Sequence, residues 1–192
     1  MTPGTAMMTV WSVWMLSWIA AAPWSARSAK RAGRGRELAY RGLVFAGAVL
    51  AFAVDWALGG LGYRLYPAPA GLGWILVALV VLGLLFTWWA RLHLGVMWSG
   101  GIDRKEHHRI VDTGPYRLVR HPIYTSVILA IIGTAAAART PTVFAGVAVM
   151  VAGIVMKARF EEKFLRDQLG REAYDAYALR VPMLVPFWPP AV

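Results

Sequence analysis

Five stretches of this 192-residue chain, 7–24, 40–58, 72–92, 121–138 and 141–158, are apolar, nearly free of charge and long enough to cross hydrocarbon as helices. A bilayer core about 30 Å thick takes roughly 20 apolar residues in helix, and a helix satisfies its own backbone there. The expected fold is therefore an all-α integral membrane protein: about five transmembrane helices with a C-terminal helical segment outside the bilayer. Hydrophobic residues at 58% against charged residues at 16% exclude an ordinary soluble domain. The chain has no length for a separate soluble catalytic domain, so 1–192 reads as one membrane domain. Within it, 1–92 is an N-terminal three-helix part, and 93–192 holds a connector, a helical hairpin and a C-terminal segment.

The net charge of +10 sits between the apolar runs rather than along one face. Arg27, Lys30, Arg31, Arg34 and Arg36 follow the first run and no basic residue precedes it, the reverse of a cleavable signal. The N-terminus is then outside an inner or plasma membrane, with 25–39, 93–120 and 159–192 cytoplasmic. Together with Arg41, Arg91 and Lys157 at helix ends, those regions hold every basic residue except Arg64 and Arg139. Positive-inside topology and anionic membrane lipids account for the charge without nucleic acid. The basic loop 25–36 is expected to be solvated and mobile. With no cysteine, disulfides and thiolate chemistry are excluded.

Only Arg139-Thr140-Pro141 joins the last two runs, which forces an antiparallel hairpin. Small residues recur every fourth position in Ser126, Ala130, Thr134 and Ala138, and Ala145, Val149 and Gly153 do so on the next helix. That spacing predicts close packing of these two helices. Residues 159–169 read as an amphipathic helix stopped by Gly170, followed by a short helix through Tyr174 and Tyr177. Pro182, Pro186, Pro189 and Pro190 then end regular helix, leaving an apolar tail, Val181 to Trp188, to fold back onto the membrane face. Trp11, Trp14, Trp18, Trp24, Trp88, Trp89 and Trp98 are assigned to interfacial belts and packing. Asp55, near the outer end of its run, is assigned a solvated role.

The polar stretch His108 to Tyr124 lies between two apolar runs. Gly114-Pro115-Tyr116 marks a sharp turn and Arg120-His121-Pro122 a helix start, where free backbone N–H groups favour an anionic ligand group. Tyr116, His121 and Tyr124 cluster around that mouth. His93, His107, His108 and His121 complete no metal-ligand set, and no metal is expected. Glu161 and Glu162, just past the last run, oppose the helix dipole and each other, and need Arg120, Arg180 or the cation of a ligand as partner. No Walker loop, GxGxxG, HExxH or GxSxG occurs.

The run His108–Tyr124, then Glu161-Glu162, Leu169-Gly170, Tyr174, Tyr177, Arg180-Val181-Pro182 and Pro186, resembles the isoprenylcysteine carboxyl methyltransferase family, itself similar to phospholipid methyltransferases. The resemblance covers roughly the C-terminal 85 residues. It implies an enzyme that moves a methyl group from S-adenosylmethionine to an oxygen, carboxylate or phenol, of a lipophilic and possibly isoprenoid or prenylated acceptor at the cytoplasmic face. The cofactor contacts it implies are His108, Arg109, Ile110, Val111, Tyr116, His121, Pro122, Ile123, Tyr124 and Glu161, with Glu162 and Arg180 beside them. A basic residue one turn before the glutamate meets the acceptor in the family; here that position is Lys157 rather than arginine. Arg159 and Arg120 are the neighbouring cations for an anionic acceptor, and His121 or Tyr124 is the proton acceptor for a phenol. A nicotinamide-dependent membrane reductase and a non-enzymatic lipid-binding protein are the alternatives.

Overall fold

The computed structural model describes residues 1–31, 33–58, 64–105 and 109–188. Helix α1 (Pro3–Ala21) starts on Thr2, whose hydroxyl accepts the Thr5 N–H at 3.2 Å, with proline in the first turn. Helix α2 (Arg34–Ala48) runs through a π-helical segment (Val49–Val54) into the short α3 (Asp55–Ala57). Then come α4 (Leu72–Leu94), α5 (Pro122–Ala138), α6 (Pro141–Leu169) and α7 (Arg171–Ala178). Among the described residues, four helical stretches are long and apolar enough to cross a membrane: Pro3–Ala21, Gly35–Ala57, Leu72–Met97 and Pro141–Leu169. The fifth, α5, has 17 residues, or about 25 Å at 1.5 Å per residue. It is shorter because Pro122 fixes its start and Arg139 ends it in the left-handed region at φ 62°.

The chain is an integral membrane protein, and its surface says so. Phe45 is 72% exposed, Leu16 65%, Leu82 62% and Leu129 62%, a distribution that is unfavourable in water and ordinary in lipid. Inside the bundle, α1 contributes Ala6 and Met7 to a cluster with Val77, Val80 and Leu84 of α4 and Ala130 of α5. Indole N–H groups reach across helices to hydroxyls: Trp14 to Thr87 at 2.8 Å, Trp11 to Thr134 at 3.0 Å and Trp88 to Ser17 at 3.0 Å. Each satisfies polar atoms that lipid would leave bare.

The small-residue stripes pack, but not on each other as expected from the hairpin. Ser126 and Ala130 face Gly83 of α4, while Gly153 lies against Tyr40, Leu43 and Val44 of α2. Helix α5 packs chiefly on α4, and α6 chiefly on α2. The closest crossing is one the spacing did not mark. A Cβ on Gly47 would stand 2.5 Å from the Gly146 carbonyl oxygen, and one on Gly146 would stand 2.5 Å from that of Gly47. Backbones touch here, immediately before the π-helical segment, which opens beside the crossing.

Two further expectations change. The basic loop is partly ordered: β1 (Ser28–Arg31) pairs antiparallel with β2 (Asp103–Lys105), with Ser28 opposite Lys105 and Arg31 opposite Asp103. The all-α core thus carries a two-stranded ribbon at one end. Asp55 is docked rather than simply solvated, accepting the Thr142 hydroxyl in the first turn of α6, where the helix dipole favours a carboxylate. At this same end Arg139 donates to the Tyr66 carbonyl at 3.2 Å, and Arg64 to that of Ala138.

The opposite end, where α1 and α4 finish and α5 begins, is tied by Arg91. Its side chain is buried and donates to the carbonyls of Gly95 (2.7 Å), Trp24 (2.6 Å) and Ala21 (3.2 Å), the spent ends of two helices. Its guanidinium lies 4.3 Å from the Trp98 ring centroid and 4.8 Å from that of Trp24. A ring column from Trp14 through Trp18 to Trp98, at centroid spacings of 5.2 Å, continues this anchor into the bundle. The buried cation is thus both hydrogen-bonded and stacked.

Candidate active site

Three local features build a crevice at the Arg91 end. The first is the turn Gly114–Arg117, a 3₁₀ segment with Pro115 in its first turn. Gly114 is at φ 56°, and a Cβ there would stand 2.7 Å from the His93 ring, so only glycine fits. His93 bonds the Thr113 hydroxyl at 2.8 Å and lies parallel to Tyr116, fixing that ring inward. The second feature is the start of α5, where His121 is the N-cap residue and its ring stacks on Tyr124 at 5.2 Å and 8°. The third is the extension of α6 past 158, which carries Glu161 and Glu162 and ends on Gly170 at φ 100°.

The C-terminal strap closes over these. Arg120 N–H donates to the Pro182 carbonyl at 2.8 Å, His121 N–H to that of Met183 at 3.1 Å, and the Thr125 hydroxyl to that of Leu184 at 2.6 Å. The Arg120 guanidinium is 3% exposed and forks onto Glu162 at 2.6 and 3.2 Å, while its remaining edge donates to the carbonyls of Ala178 and Val181, both at 2.7 Å. His121 Nε2 lies 3.3 Å from the same Glu162 carboxylate. The Tyr177 hydroxyl donates to the Tyr116 carbonyl at 2.8 Å, joining α7 to the turn. Burial, reinforced by the charge of Glu161, pushes the Tyr116 phenol up, and burial does the same to Tyr174 and Tyr177. All three stay protonated, and the Tyr116 hydroxyl donates to the Ala90 carbonyl at 3.5 Å.

The resulting crevice is half open and holds about 760 Å³, its mouth included. Of the residues anticipated from sequence it brings together Arg109, Ile110, Val111, Tyr116, Arg120, His121, Pro122, Ile123, Tyr124 and Glu161. His108 lies outside the described residues, as do His107, Pro189 and Pro190. Glu162 is not a crevice wall; it holds Arg120 and His121 from behind. Arg180 is at the surface, 3.5 Å from Asp112. Arg159 is exposed and borders a different hollow with Lys163 and Arg166, so it cannot stand in for Lys157. Arg120 is fully engaged by the strap and Glu162, which removes it as an acceptor ligand.

Glu161 differs from its neighbour. Its carboxylate accepts the Tyr124 hydroxyl at 2.6 Å, and among the described residues no lysine or arginine reaches it at ion-pair distance. A crevice wall carrying a carboxylate without a cation partner, set among tyrosine rings, leucines and Met97, suits a ligand that is cationic and part aromatic. S-adenosylmethionine, with its sulfonium, ammonium and adenine, has that chemistry, and the residues present fit it.

Beside the crevice, an apolar groove of about 1150 Å³, mouth included, runs between α1, α2, α5 and α6. Trp18, Val44, Phe45, Val127, Met150 and Ile154 line it, and Trp98, Ser99, Ile123 and Tyr124 belong to both spaces. Lys157 stands at its end. Its Nζ donates to the Gly100 carbonyl at 3.0 Å and lies 5.0 Å from the Tyr124 ring centroid and 5.5 Å from that of Tyr40. Among the described residues it has no carboxylate at ion-pair distance. The segment Met97–Ser99 and Asp103, which shape both spaces, were not singled out as site residues from sequence; Trp98 followed an apolar run and read as one more interfacial ring.

The isoprenylcysteine carboxyl methyltransferase family model matches residues 75–167, the span from α4 through most of α6. This segment, just under half of the chain, is similar to that family. The chain is 37% identical over 87 residues to protein-S-isoprenylcysteine O-methyltransferase B of Arabidopsis thaliana, covering 45% of this chain and 44% of that protein. It is 31% identical over 112 residues to a probable protein-S-isoprenylcysteine O-methyltransferase of Oryza sativa subsp. japonica, covering 58% and 53%. It is also 31% identical over 114 residues to the nickel-cobalt-cadmium resistance protein NccN of Alcaligenes xylosoxydans xylosoxydans, covering 59% and 52%. The chain spans about half the length of the relatives it matches. A solved eukaryotic intramembrane Ras methyltransferase superposes with a TM-score of 0.55 at 22% identity, covering 77% of this chain and 52% of that one, which establishes the shared fold. The family segment contains the Gly114 turn, Arg120, His121, Tyr124, Lys157 and Glu161; α1, α2, α7 and the strap lie outside it.

Proposed function

We propose that this chain is a membrane methyltransferase that moves the methyl group of S-adenosylmethionine to the carboxylate oxygen of a lipophilic, prenyl-type acceptor. The observation that carries the reading is Lys157: an ammonium with no carboxylate partner among the described residues, at the point where a polar crevice meets an apolar groove. Such a junction suits an acceptor whose tail comes from lipid and whose anionic oxygen must face a water-borne donor.

The geometry favours carboxylate over phenol. A phenol needs a base at the groove, where Lys157 stands: His121 does not line that groove, and the Tyr124 hydroxyl is committed to Glu161. A carboxylate arrives already ionised and needs none. S-adenosylmethionine, when bound, supplies an activated methyl on a sulfonium. The chain's residues do the rest. Glu161, held by Tyr124, takes a cationic part of the donor; the Tyr116, Tyr124 and Tyr174 rings enclose it; Arg120 and the strap keep water out. Lys157 fixes the acceptor oxygen, and the groove fixes its tail. Alignment and exclusion of water are the main sources of acceleration for such a displacement.

The crevice is assigned to the cytoplasmic side. Arg64 and Arg139 lie at the opposite end of the bundle, whereas Arg91, Arg109, Arg120 and Lys157 lie at this one, as the positive-inside rule requires. The decisive experiment incubates the purified chain in nanodiscs with labelled donor and N-acetyl-S-farnesylcysteine. Label that alkali releases as methanol identifies a carboxyl methyl ester. Alkali-stable label would point to a phenol ether, and absence of donor binding by calorimetry would refute the reading.

A further inference from the structure

Past Leu184 the strap turns outward on two large rings. The turn Val185–Trp188 is closed by the Trp188 N–H, which donates to the Val185 carbonyl at 3.2 Å, with Pro186 second and Phe187 third. Phe187 stands at φ 64°, in the left-handed region that the third position of such a turn normally gives to glycine. A bulky residue there is held against its own backbone preference. Its ring gains nothing from the chain in return: Phe187 is 94% exposed and Trp188 67%. Strained backbone and bare rings both oppose this turn in water, so a contact outside the chain must offset them.

The course of the strap says what that contact is. The Thr125 hydroxyl of α5 donates to the Leu184 carbonyl at 2.6 Å. Leu129 stands one helical turn beyond Thr125 on the same face, with Ile132 next along it, and both are exposed. That face of α5 belongs to the lipid-facing surface of the bundle, and the strap crosses it at the crevice end. The two rings thus continue an established membrane surface at the level where a helix meets the headgroups, the place an indole with one polar edge suits best.

We infer that Phe187 and Trp188 insert into the bilayer boundary and moor the strap, so that lipid contact helps to keep the donor crevice closed. The partner is a lipid surface met through apolar rings rather than charge, since Val185–Trp188 carries no ionisable side chain. The path inward is short. Leu184, Met183 and Pro182 hand their carbonyls in turn to the Thr125 hydroxyl, the His121 N–H and the Arg120 N–H. A tail drawn into lipid holds all three bonds, and one released into water frees them from the rings inward. The effect on the donor rests on the methyltransferase reading; the mooring itself does not.

The chain has no cysteine, so a nitroxide attached through Val185→Cys reports on the tail alone. Power-saturation EPR of the full chain in phosphatidylcholine nanodiscs compares its collisions with oxygen, which concentrates in lipid, and with a nickel chelate, which stays in water. Oxygen should prevail, and adding Phe187→Ser with Trp188→Ser should reverse the order. Without the label, the serine pair should weaken S-adenosylmethionine binding about tenfold by calorimetry, as follows if the strap is then closed in about a tenth of the molecules. Phe187→Leu with Trp188→Leu should hold it within about threefold of wild type, because lipid accepts any apolar group. Chelate collisions prevailing with both rings in place would overturn the inference, as would a label shielded from both reagents, the mark of a second copy seated on the tail. A serine pair with wild-type donor affinity, or a leucine pair as weak as the serine pair, would overturn it too. A chain that binds no donor in any form refutes the methyltransferase reading, and the nitroxide still decides the mooring.

Discussion

Replacing Arg120 by methionine isolates what the strap contributes. The native guanidinium is 3% exposed, forks onto Glu162 and donates to the carbonyls of Ala178, at the end of α7, and of Val181 in the strap. Methionine keeps most of the stem's volume and removes every one of those bonds. Breaking one side of a buried pair costs about 3–5 kcal/mol, but Glu162 keeps His121 and is 19% exposed, which places the loss at the low end, about 3 kcal/mol. The strap carbonyls escape a further penalty by detaching into water, so the damage is local. The amides of Val181, Arg120 and His121, which donate to the Tyr177, Pro182 and Met183 carbonyls, should exchange faster, and donor affinity should fall by about 30- to 140-fold, the equivalent of about 2–3 kcal/mol. Hydrogen–deuterium exchange and calorimetry on the same preparation read both. The double variant Arg120→Met with Glu162→Met should restore thermal stability toward wild type without restoring donor affinity, because two apolar groups no longer leave a buried charge unpaired. A strap that remains protected in Arg120→Met would refute the assignment of Arg120 as its anchor.

Glu161→Gln keeps the shape of the crevice wall and removes its charge; donor affinity measured by calorimetry should fall about tenfold, in the range of one charge-assisted hydrogen bond. Lys157→Met should lower kcat/KM for a carboxylate acceptor by about a hundredfold with donor affinity unchanged, while Lys157→Arg should recover much of that loss; steady-state kinetics with N-acetyl-S-farnesylcysteine distinguish the two. Gly47→Val and Gly146→Val should each drive α2 from α6, because the added Cβ meets backbone at 2.5 Å; loss of the thermal unfolding transition in detergent is the expected result, and a wild-type transition in both would show that this crossing is not tight.

The membrane helices and most of the crevice were legible because their signals are local. Apolar length marks a span, proline after His121 marks a helix start, and glycine at 170 marks a stop. The residues from Arg109 to Tyr124 follow one another in sequence, so finding one finds the rest. What stayed hidden depends on which helix meets which. The stripe Ser126–Ala130 announces a close neighbour without naming it, and the neighbour is α4 rather than α6. Gly47 and Gly146 look like isolated glycines until the crossing puts their backbones together. Arg159 and Lys157 are two residues apart and chemically similar, yet a helix turns about 200° between them, so one faces the groove and the other water. Arg120 looked available for a ligand because its four acceptors come from segments 42 to 61 residues away.

The boundary of the family match coincides with a division of labour. The donor crevice is made chiefly by the matched segment, with the turn at Gly114, the start of α5 and Glu161 all inside 75–167. The groove takes much of its lining from before it: Trp18 on α1, and Tyr40, Val44 and Phe45 on α2. On the proposed function, methyl transfer from one donor fixes the geometry of the first set. Nothing in that chemistry fixes the second, which must fit whatever amphiphile the membrane supplies. Lys157 is where the two meet: it is carried by the matched helix α6 but rests against Tyr40 of α2. Exchanging residues 1–58 with those of a relative should therefore change acceptor preference while leaving donor affinity within about threefold, since no described residue of that segment lines the donor crevice. Loss of donor affinity on exchange would show that the two sets are coupled through α1 and the Arg91 anchor rather than separable.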